Sequence, residues 1–264
     1  MVQYGDAHRL FLQVFISKNI LTQKDAQAVY LKVGQRMQFD TPADGLNTFV
    51  RNVNEKLSDL SMEIRMGRAE STGEKYYALV NTLEDESSKM ATDFTPHEIE
   101  FIKKVMETIV ASPEGFSDSV ELTNLGHDLQ KKMTGTQCEA LLAKMLTHKW
   151  LDYSRGGDYS FGPRALIELG QYMEGKFGDN VKVCELCHTV VVMGDMCLDC
   201  GAKIHKYCAA IRFHGVPAEK RKCPKCGEVW DQELISLPEA DSTPDEAPAK
   251  KSKSVSGRKS AGRR

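Results

Sequence analysis

Apolar residues recur at helical spacing through most of the first 180 residues, in two blocks with the same order of elements. The first block has three helical runs, at residues 6–17, from Leu21 and from Thr41, and then two strand-like runs, SMEIRM and KYYALVN, around the turn-rich GRAESTGE. Thr22 and Thr41 are placed as cap residues, and Pro42 suits a first helical turn. The first block therefore predicts three helices followed by a two-stranded hairpin.

The second block follows the polar stretch LEDESSKMATD. Thr95, Pro96 and Glu98 are spaced for a capping box with proline in the first turn of a helix. A short helix in SVELTNLGHDL, a helix in TQCEALLAKMLTHKW, strands LDYS and YSFG around RGGD, and a helix in GPRALIELGQYMEGKF come next. Although no exact sequence repeat links the blocks, three helices plus a wing in each predict tandem winged-helix domains at residues 1–88 and 89–180.

Seven of the eight cysteines lie in one segment of 43 residues, in closely spaced pairs. Two residues between ligands let the backbone form a knuckle that offers both ligands to one tetrahedral Zn²⁺. In a reducing compartment such pairs are ligands more often than disulfides, and four pairs are too many for a thioredoxin-like redox site. Two zinc ions are therefore predicted, and the candidate ligands in chain order are Cys184, Cys187, Cys197, Cys200, His205, Cys208, Cys223 and Cys226.

The spacing of these pairs bears on which of them share an ion. Sequential pairing leaves 9 and 14 residues between partner pairs, whereas interleaved pairing leaves 17 and 22, near the roughly 15 to 20 that are usual within a four-ligand site. Interleaving is predicted, because such cross-bracing lets two metals organise a domain with too few apolar residues to fold alone. The first zinc then has the ligands Cys184, Cys187, His205 and Cys208, and the second has Cys197, Cys200, Cys223 and Cys226.

This ligand order, with histidine in fifth place, resembles both variant RING domains and PHD fingers. PHD fingers usually have a tryptophan two residues before the seventh ligand, where this chain has Arg221. No aromatic residue lies between Cys187 and Cys197 to cage a methylated lysine. The four-residue gap from Cys200 to His205 is more typical of PHD fingers, so both alternatives stay open on the motif alone.

On the RING side, Leu186 and Pro224 match positions at which RING ubiquitin ligases contact a ubiquitin-conjugating enzyme. Ile211 and Phe213 are expected to complete this apolar groove. Many active RING ligases have a basic residue directly after the last ligand, where this chain has Gly227. The resemblance therefore implies a ligase whose intrinsic activity is weak.

Charge is unevenly distributed along the chain, although the net charge is only -2. Residues 1–183 contain 21 basic and 26 acidic residues, whereas residues 184–264 contain 14 and 11. The acidic N-terminal part is not expected to bind a phosphate backbone strongly, so direct DNA binding is expected to be weak or to pass through partners. The apolar run Leu10–Ile16 is too short for a membrane span and lacks the features of a signal peptide, so we expect a soluble intracellular protein with no membrane contact.

The C-terminal region is expected to be a disordered tail, acidic and then basic, over residues 233–264. Val255 is the one large apolar residue in its last 27 positions, and seven of its last 15 residues are Lys or Arg. Nuclear import, nucleic-acid contact and plain solvation are alternatives for the basic part. The whole chain is thus predicted to have an α+β fold, in which tandem winged-helix domains precede a small cross-braced RING-like domain at 181–232 and the tail.

Two winged-helix units ending in GPRALIELGQYM, followed by this zinc motif, resemble the family of the non-SMC element one subunit of the SMC five/six DNA-repair complex. The resemblance covers residues 1–230. It implies a nuclear, chromosome-associated subunit that binds a MAGE-domain partner and a kleisin-type subunit and supports repair by homologous recombination. It also implies a RING-type ubiquitin ligase with two zincs per chain, which has no catalytic side chain of its own and acts by holding a ubiquitin-loaded conjugating enzyme.

Other candidate residues have simpler interpretations. Cys138 lies on an apolar helical face and is expected to be a buried structural thiol. His188 adjoins Cys187 but is surplus to eight ligands, and Trp230 is expected to pack against the zinc domain. Four lysines are either a DNA-facing edge or a solvated surface, with solvation favoured; they are Lys131, Lys132, Lys144 and Lys149.

Three functional hypotheses follow from the sequence. The first is a ubiquitin-ligase subunit, favoured by the ligand spacing together with Leu186 and Pro224. The second is a structural adaptor in which the zincs build a docking surface, and Gly227 is its motivation. The third is a reader of methylated histones, which lacks the aromatic cage that it requires.

Overall fold

The computed structural model describes residues 4–82, 94–178 and 180–237. The first unit has three α-helices, α1 (Asp6–Lys18), α2 (Gln23–Met37) and α3 (Gly45–Leu57), a 3-10 turn at Ser58–Leu60, and three strands, β1 (Ile20–Thr22), β2 (Met62–Arg68) and β3 (Lys75–Asn81). The strands form an antiparallel sheet in the order β1-β3-β2. Helix, strand, two helices and a hairpin in this order are a winged-helix unit.

Of the two predicted helix caps in the first unit, Thr22 is present and Thr41 is not. The Thr22 hydroxyl accepts a hydrogen bond from the Asp25 amide at 3.0 Å and caps α2. The third helix begins at Gly45, so the expected cap at Thr41 is wrong. The Gly45 amide donates to the Pro42 carbonyl at 2.9 Å, which makes residues 42–45 a turn before the helix.

The core of the first unit lies between its helices and one face of its sheet. Phe11 and Phe15 are fully buried, and the Phe49 ring packs against Phe11 with ring centroids 5.3 Å apart. Asn54 ties α3 to β2, because its side-chain amide donates to the Ile64 carbonyl at 2.9 Å and its oxygen accepts from the Ile64 amide at 2.7 Å. The hairpin therefore has a fixed position relative to the helices.

The second unit repeats this topology. Its helices are α4 (Pro96–Ala111), α5 (Ser119–Asn124), α6 (Gly135–Thr147) and α7 (Pro163–Lys176), with a 3-10 turn at Leu125–Asp128, and its strands are β4 (Phe116–Asp118), β5 (Leu151–Tyr153) and β6 (Asp158–Phe161). The sheet order is β4-β6-β5, which corresponds strand for strand to the order in the first unit. The predicted capping box is present, since the Thr95 amide donates to the Glu98 carboxylate at 2.7 Å. The tandem winged-helix prediction is confirmed.

Each unit also has a first strand that the sequence pattern did not predict. β1 and β4 have three residues each and pair with the last strand of their own unit. Three residues are too few to show the alternation by which a strand is recognised, and both strands run directly into the cap of a helix. The wing is therefore a three-stranded sheet and not a two-stranded hairpin.

Helix α7 joins the two winged-helix units. Ile167 on α7 is buried with Ala69, Tyr76, Ala78 and Val80 of the first unit. Gly67 lets the backbone of β2 approach α7, because a Cβ at that position would overlap the Ile167 side chain.

The third region is built from short elements around the cysteine pairs. Its elements are strands β7 (Lys182–Val183), β8 (Val190–Val191), β9 (Gly194–Met196) and β10 (Lys203–His205), helix α8 (Lys206–Arg212) and a 3-10 turn at Ala218–Lys220. β7 pairs with β8 and β9 with β10, both antiparallel. Val181, Val190 and Val192 belong to the core of the second winged-helix unit, so the zinc-binding region packs directly on that unit.

The ordered chain continues beyond the predicted start of the tail at residue 233. Leu234, Ile235 and Leu237 pack against the core of the zinc-binding region, so that start is placed too early, because three apolar residues follow it. The remainder of the predicted tail, residues 238–264, lies outside the described residues. Within the described ranges, no helix is both long and apolar enough to cross a bilayer.

Candidate metal centre

Three Cys-x-x-Cys segments share one backbone geometry. In each, the amide of the first cysteine donates to the carbonyl five residues later, and the amide four residues later donates to the carbonyl of that first cysteine. At Cys223 the partners are Glu228 at 2.8 Å and Gly227 at 3.0 Å, and the segments at Cys184 and Cys197 repeat the pair of bonds at 2.8 to 3.0 Å. The repeated turn is a zinc knuckle, in which two ligands of a pair reach one ion.

The knuckle turn requires a left-handed residue directly after its second cysteine. The φ angle is +57° at His188, +69° at Gly201 and +79° at Gly227. Glycine adopts this conformation without steric cost, and His188 shows that a side chain is also accommodated there. His188 is therefore part of the turn and not of a metal cluster among the described residues.

The first cluster contains Cys184, Cys187, His205 and Cys208, whose ligand atoms all lie within 4.8 Å of one another. The Nδ1 atom of His205 is 3.3 Å from the Cys187 Sγ and 3.8 Å from the Cys208 Sγ. Its Nε2 atom is 2.9 Å from the Val190 carbonyl oxygen. Nδ1 is thus the atom available to a metal, and Nε2 carries the proton.

The second cluster contains Cys197, Cys200, Cys223 and Cys226, again within 4.8 Å. The Cys197 and Cys226 sulfurs are 3.7 Å apart, as are those of Cys200 and Cys223. Along the chain the four ligand pairs alternate between the two clusters, so the loop between the pairs of one cluster contains a pair of the other. The interleaved grouping predicted from the spacing is confirmed, and the domain is cross-braced.

The sulfur geometry fits zinc. Four Zn–S bonds of about 2.3 Å in a tetrahedron place neighbouring sulfurs about 3.8 Å apart, close to the separations in the second cluster. All eight cysteines of the chain are free thiols, so no disulfide competes for these ligands. The first cluster has three thiols and one imidazole, which is also a common zinc ligand set. The residues therefore fit two structural zinc ions.

Within each cluster the pKa values of neighbouring thiols are shifted in opposite directions. The backbone N–H groups of Cys200 and Asp199 lower the pKa of Cys197 to about 7, against the opposing effect of burial. In the first cluster, hydrogen bonding with Cys184 lowers the pKa of Cys187, while bonding with Cys184 and Cys187 raises the pKa of Cys208. Thiols this close share protons, and a divalent ion that replaces those protons binds thiolates.

The residues expected to face a conjugating enzyme are not equally accessible. Pro224 is exposed, and Leu186 and Ile211 are partly exposed. The Lys225 ammonium lies 3.1 Å from the Glu185 carboxylate, so the residues next to Pro224 and Leu186 join the two ligand loops. Phe213 is only 4% exposed. The expectation that Phe213 contributes to the groove is therefore wrong, because its ring is buried in the domain core beside Trp230.

Cys138, Trp230 and Lys144 have the structural surroundings that their simpler interpretations predict. Cys138 is fully buried, and burial raises the pKa of its thiol. Trp230 is 1% exposed in the core of the zinc-binding domain, which leaves little of it for a partner. Lys144 lies 3.3 Å from the Glu98 carboxylate and over the Phe94 ring. Because this lysine is engaged within the second unit, it is not a free phosphate contact.

Two features beside the metal clusters were not predicted from the sequence. Met196, Leu198 and Val229 are exposed apolar side chains around one pocket beside the second cluster. Glu70, in the wing turn of the first unit, is 2% exposed and lies against the first cluster. Leu198 had a sequence signal, since it stands between two ligands in a knuckle, but Glu70 had none, because it lies 135 positions from His205 in the sequence.

Comparisons with known proteins agree with this architecture. A family model described as the Nse1 non-SMC component of the SMC5-6 complex matches residues 8–121 and 116–169, and a RING-like domain model matches residues 184–226. A human protein named "Non-structural maintenance of chromosomes element 1 homolog" is 35% identical over 230 residues, which cover 87% of this chain and 85% of the human protein. A Xenopus tropicalis protein of the same name is 34% identical over 241 residues, which cover 91% of this chain and 88% of that protein.

A solved structure is similar as well. A chain of a structure titled "Nse1-Nse3-Nse4 complex" superposes with a TM-score of 0.78 and 34% sequence identity, and the match covers 89% of this chain and all of that one. The winged-helix pair, the interleaved zinc clusters and these matches lead to one assignment: the chain belongs to the Nse1 family, the RING-like non-SMC component of the SMC5-6 complex.

Proposed function

We propose that this chain is a RING-type ubiquitin-protein ligase subunit of an SMC5-6 complex. In this role it acts in DNA repair by homologous recombination and in chromosome maintenance, in the nucleus and on chromosomes. The observation that carries the ligase proposal is the pair of ligand loops beside the two clusters. The Glu185–Lys225 ion pair links these loops, and its two members are the sequence neighbours of Leu186 and Pro224.

The proposed mechanism is positioning. The zinc clusters fix the two loops, and Leu186, Ile211 and Pro224 contact the conjugating enzyme, while Phe213 supports them from the core. No side chain of this chain takes part in the transfer, because the thioester is on the conjugating enzyme and the attacking amine is on the substrate. Holding the loaded enzyme in one orientation raises the effective concentration of the thioester at the substrate lysine.

The proposed partners follow from the family. A related chain occurs in a structure titled "Nse1-Nse3-Nse4 complex", and we propose that this chain likewise assembles with a MAGE-domain subunit and a kleisin-type subunit. The acidic balance of residues 1–183 supports protein docking over direct DNA binding. The division into units at 1–88 and 89–180 and a zinc-binding domain that begins at 181 and extends past 232 to include Leu237 is part of the same proposal.

A ubiquitin-discharge assay tests the ligase proposal. Zinc-loaded full-length chain, with and without the MAGE-domain partner, is mixed with a ubiquitin-loaded conjugating enzyme, and loss of the thioester is followed with time. The Leu186→Ala, Pro224→Ala double variant should lose stimulation and keep two zincs. Leu198→Ala is the matched control, because Leu198 is a 78% exposed leucine of another knuckle. If no member of a conjugating-enzyme panel is stimulated in either condition, the ligase proposal is wrong.

Gly227 gives a second, independent test. A Cβ at the exposed Gly227 meets no atom within 4 Å, so the position is open for a side chain to begin, although φ of +79° costs a non-glycine residue about 1–2 kcal/mol. Gly227→Arg supplies the basic residue of many active RING ligases and should raise discharge. Gly201→Arg, at the equivalent turn position with φ +69°, is the matched control and should have no such effect.

A structural adaptor is the competing function. It is favoured by Gly227 and by the close packing of the zinc-binding domain on the second winged-helix unit. In that case the Leu186→Ala, Pro224→Ala variant retains full repair function in cells, while Cys223→Ser destroys assembly with the partner subunits. Loss of repair in both variants, with assembly intact in the first, supports the ligase.

A further inference from the structure

The wing turn of the first winged-helix unit reaches the first metal cluster. The turn follows β2 and precedes β3, and Gly73 within it lies so close to α8 that a Cβ there would come within 2.9 Å of the Tyr207 and Leu237 side chains. The Arg68 guanidinium lies 5.5 Å from the centre of the Tyr207 ring. The Tyr207 ring in turn stacks on the imidazole of His205, with centroids 4.6 Å apart. The first unit therefore packs on a ligand of the first cluster.

Glu70 makes the most direct contact. Its carboxylate accepts hydrogen bonds from the Val192 amide at 2.8 Å and the Met193 amide at 2.9 Å, and it lies 3.2 Å from the Nε2 atom of His205. Both residues are 2% exposed. A buried carboxylate is costly unless polar groups compensate it, and here two backbone amides donate to it and the His205 imidazole lies within ion-pair distance.

The geometry at His205 has a consequence for the metal. Nδ1 faces the thiols, so Nε2 carries the proton, and this atom lies 2.9 Å from the Val190 carbonyl oxygen and 3.2 Å from the Glu70 carboxylate. A carboxylate at this position fixes the tautomer and the ring orientation and makes Nδ1 a more basic ligand. The Val190 carbonyl can fix the tautomer as well, but it carries no net charge.

We propose that Glu70 is a positioning residue of the first zinc site, so that the first winged-helix unit completes a metal site whose ligands all lie in the zinc-binding domain. Zinc binding and docking of the wing then stabilise each other, since each favours the same arrangement of Glu70 and His205. The second site has four cysteines, and no carboxylate of the described residues contacts an imidazole ligand there, so we expect it to be independent of the wing.

Zinc release from the full-length chain tests this proposal. A colorimetric chelator reports both ions, and Glu70→Gln should speed release of one of the two by up to about 10- to 100-fold, the range by which loss of an outer partner weakens metal affinity. Glu74→Gln is the matched control, because Glu74 is on the same wing but bonds Tyr76. Equal release from Glu70→Gln and the unmodified chain would overturn the proposal.

Cobalt substitution separates positioning from general loosening. A Cys₃His site and a Cys₄ site have different ligand-field bands, and Glu70→Gln should shift the bands of the Cys₃His site only. If both sets of bands shift together, Glu70 acts on the whole domain and the proposal fails.

A double-mutant cycle with His205→Cys isolates the imidazole. This variant keeps four zinc ligands but removes the partner of Glu70. Glu70→Gln should then add little or nothing to the release rate. An undiminished effect of Glu70→Gln in the His205→Cys background would show that Glu70 acts through docking alone, and would overturn the proposal even if both variants fold.

Discussion

Trp150 and Trp230 are each 1% exposed, but different forces bury them. Trp150 lies in the core of the second winged-helix unit, where 24 buried residues, one of them a cysteine, form a continuous cluster. Trp230 lies in the zinc-binding domain, whose cluster has 11 buried residues, four of them cysteine ligands. Burial of apolar surface is sufficient for the first region, whereas a domain as small as the second needs its metals. The two tryptophans of the chain thus report on two kinds of stability.

Removal of zinc should produce the largest difference between the two regions. A structural zinc contributes on the order of 10 kcal/mol to the folding of a small domain, so a chelator should unfold the zinc-binding domain. Emission from Trp230, measured in a Trp150→Phe background, should shift to the red. Emission from Trp150, measured in a Trp230→Phe background, should change little, and most helical circular dichroism should remain, since the zinc-binding domain has one seven-residue helix.

Two cysteine variants control the chelator experiment. Cys223→Ser removes a ligand of the second cluster and should lower the zinc content below two per chain. Cys138→Ala removes a buried thiol that is no ligand and should retain both ions. If both tryptophans respond together to the chelator, the two regions unfold as one and the contrast between them is wrong.

A cavity in the second winged-helix unit should destabilise that unit and leave both zinc ions bound. Leu142 is fully buried on α6, and Leu142→Ala should cost about 2–5 kcal/mol of unfolding free energy through lost burial and the cavity left behind. The Trp150 transition in urea should move to lower concentration, with two zincs still bound. Val120→Ala in the same unit is the control, because Val120 is 66% exposed and its loss should change stability by less than about 0.5 kcal/mol.

The sequence was sufficient for several features that depend on local spacing, although Thr41 is spaced as a cap and lies before a turn that leads into α3. The capping box at Thr95 involves residues three apart, and the grouping of the eight ligands follows from loop lengths. In contrast, the burial of Phe213 depends on Trp230, and the position of Glu70 depends on how a wing packs on a distant domain. Both are set by tertiary packing, which no residue pattern along one segment encodes.

A substitution at the contact between the two winged-helix units should have the next largest effect. Gly67→Ala places a Cβ against Ile167, so the first sheet and α7 must move apart, at a cost of about 1–3 kcal/mol. Hydrogen exchange should rise in β2, β3 and α7. Gly170→Ala on the same helix meets nothing within 4 Å and should instead stabilise the chain by about 0.5–1 kcal/mol. Unchanged exchange in Gly67→Ala would mean that the units do not support each other.

The smallest effect is expected at the cap of α4, where stability is local. The Thr95 hydroxyl accepts from the Glu98 amide, and Thr95→Ala should cost about 1 kcal/mol, measured as a lower urea midpoint of Trp150. Thr95→Ser retains the hydroxyl and should cost little. An equal loss in both variants would assign the effect to the lost methyl group and not to the cap.

The pH dependence of stability distinguishes the two groups of this capping box, the Thr95 hydroxyl and the Glu98 carboxylate. Burial acts to raise the pKa of Glu98, but hydrogen bonds from Thr95 and Lys144 outweigh burial and lower it below 4.5. Because the folded-state pKa is the lower one, the Glu98 contribution is complete above pH 4.5 and is lost as pH falls through the folded-state value. The destabilisation by Glu98→Gln should therefore shrink in acid, whereas the loss in Thr95→Ala that comes from its neutral hydroxyl should persist. If the stability lost in Glu98→Gln and in Thr95→Ala had the same pH dependence, the charge of Glu98 would make no separate contribution to the stability of the helix.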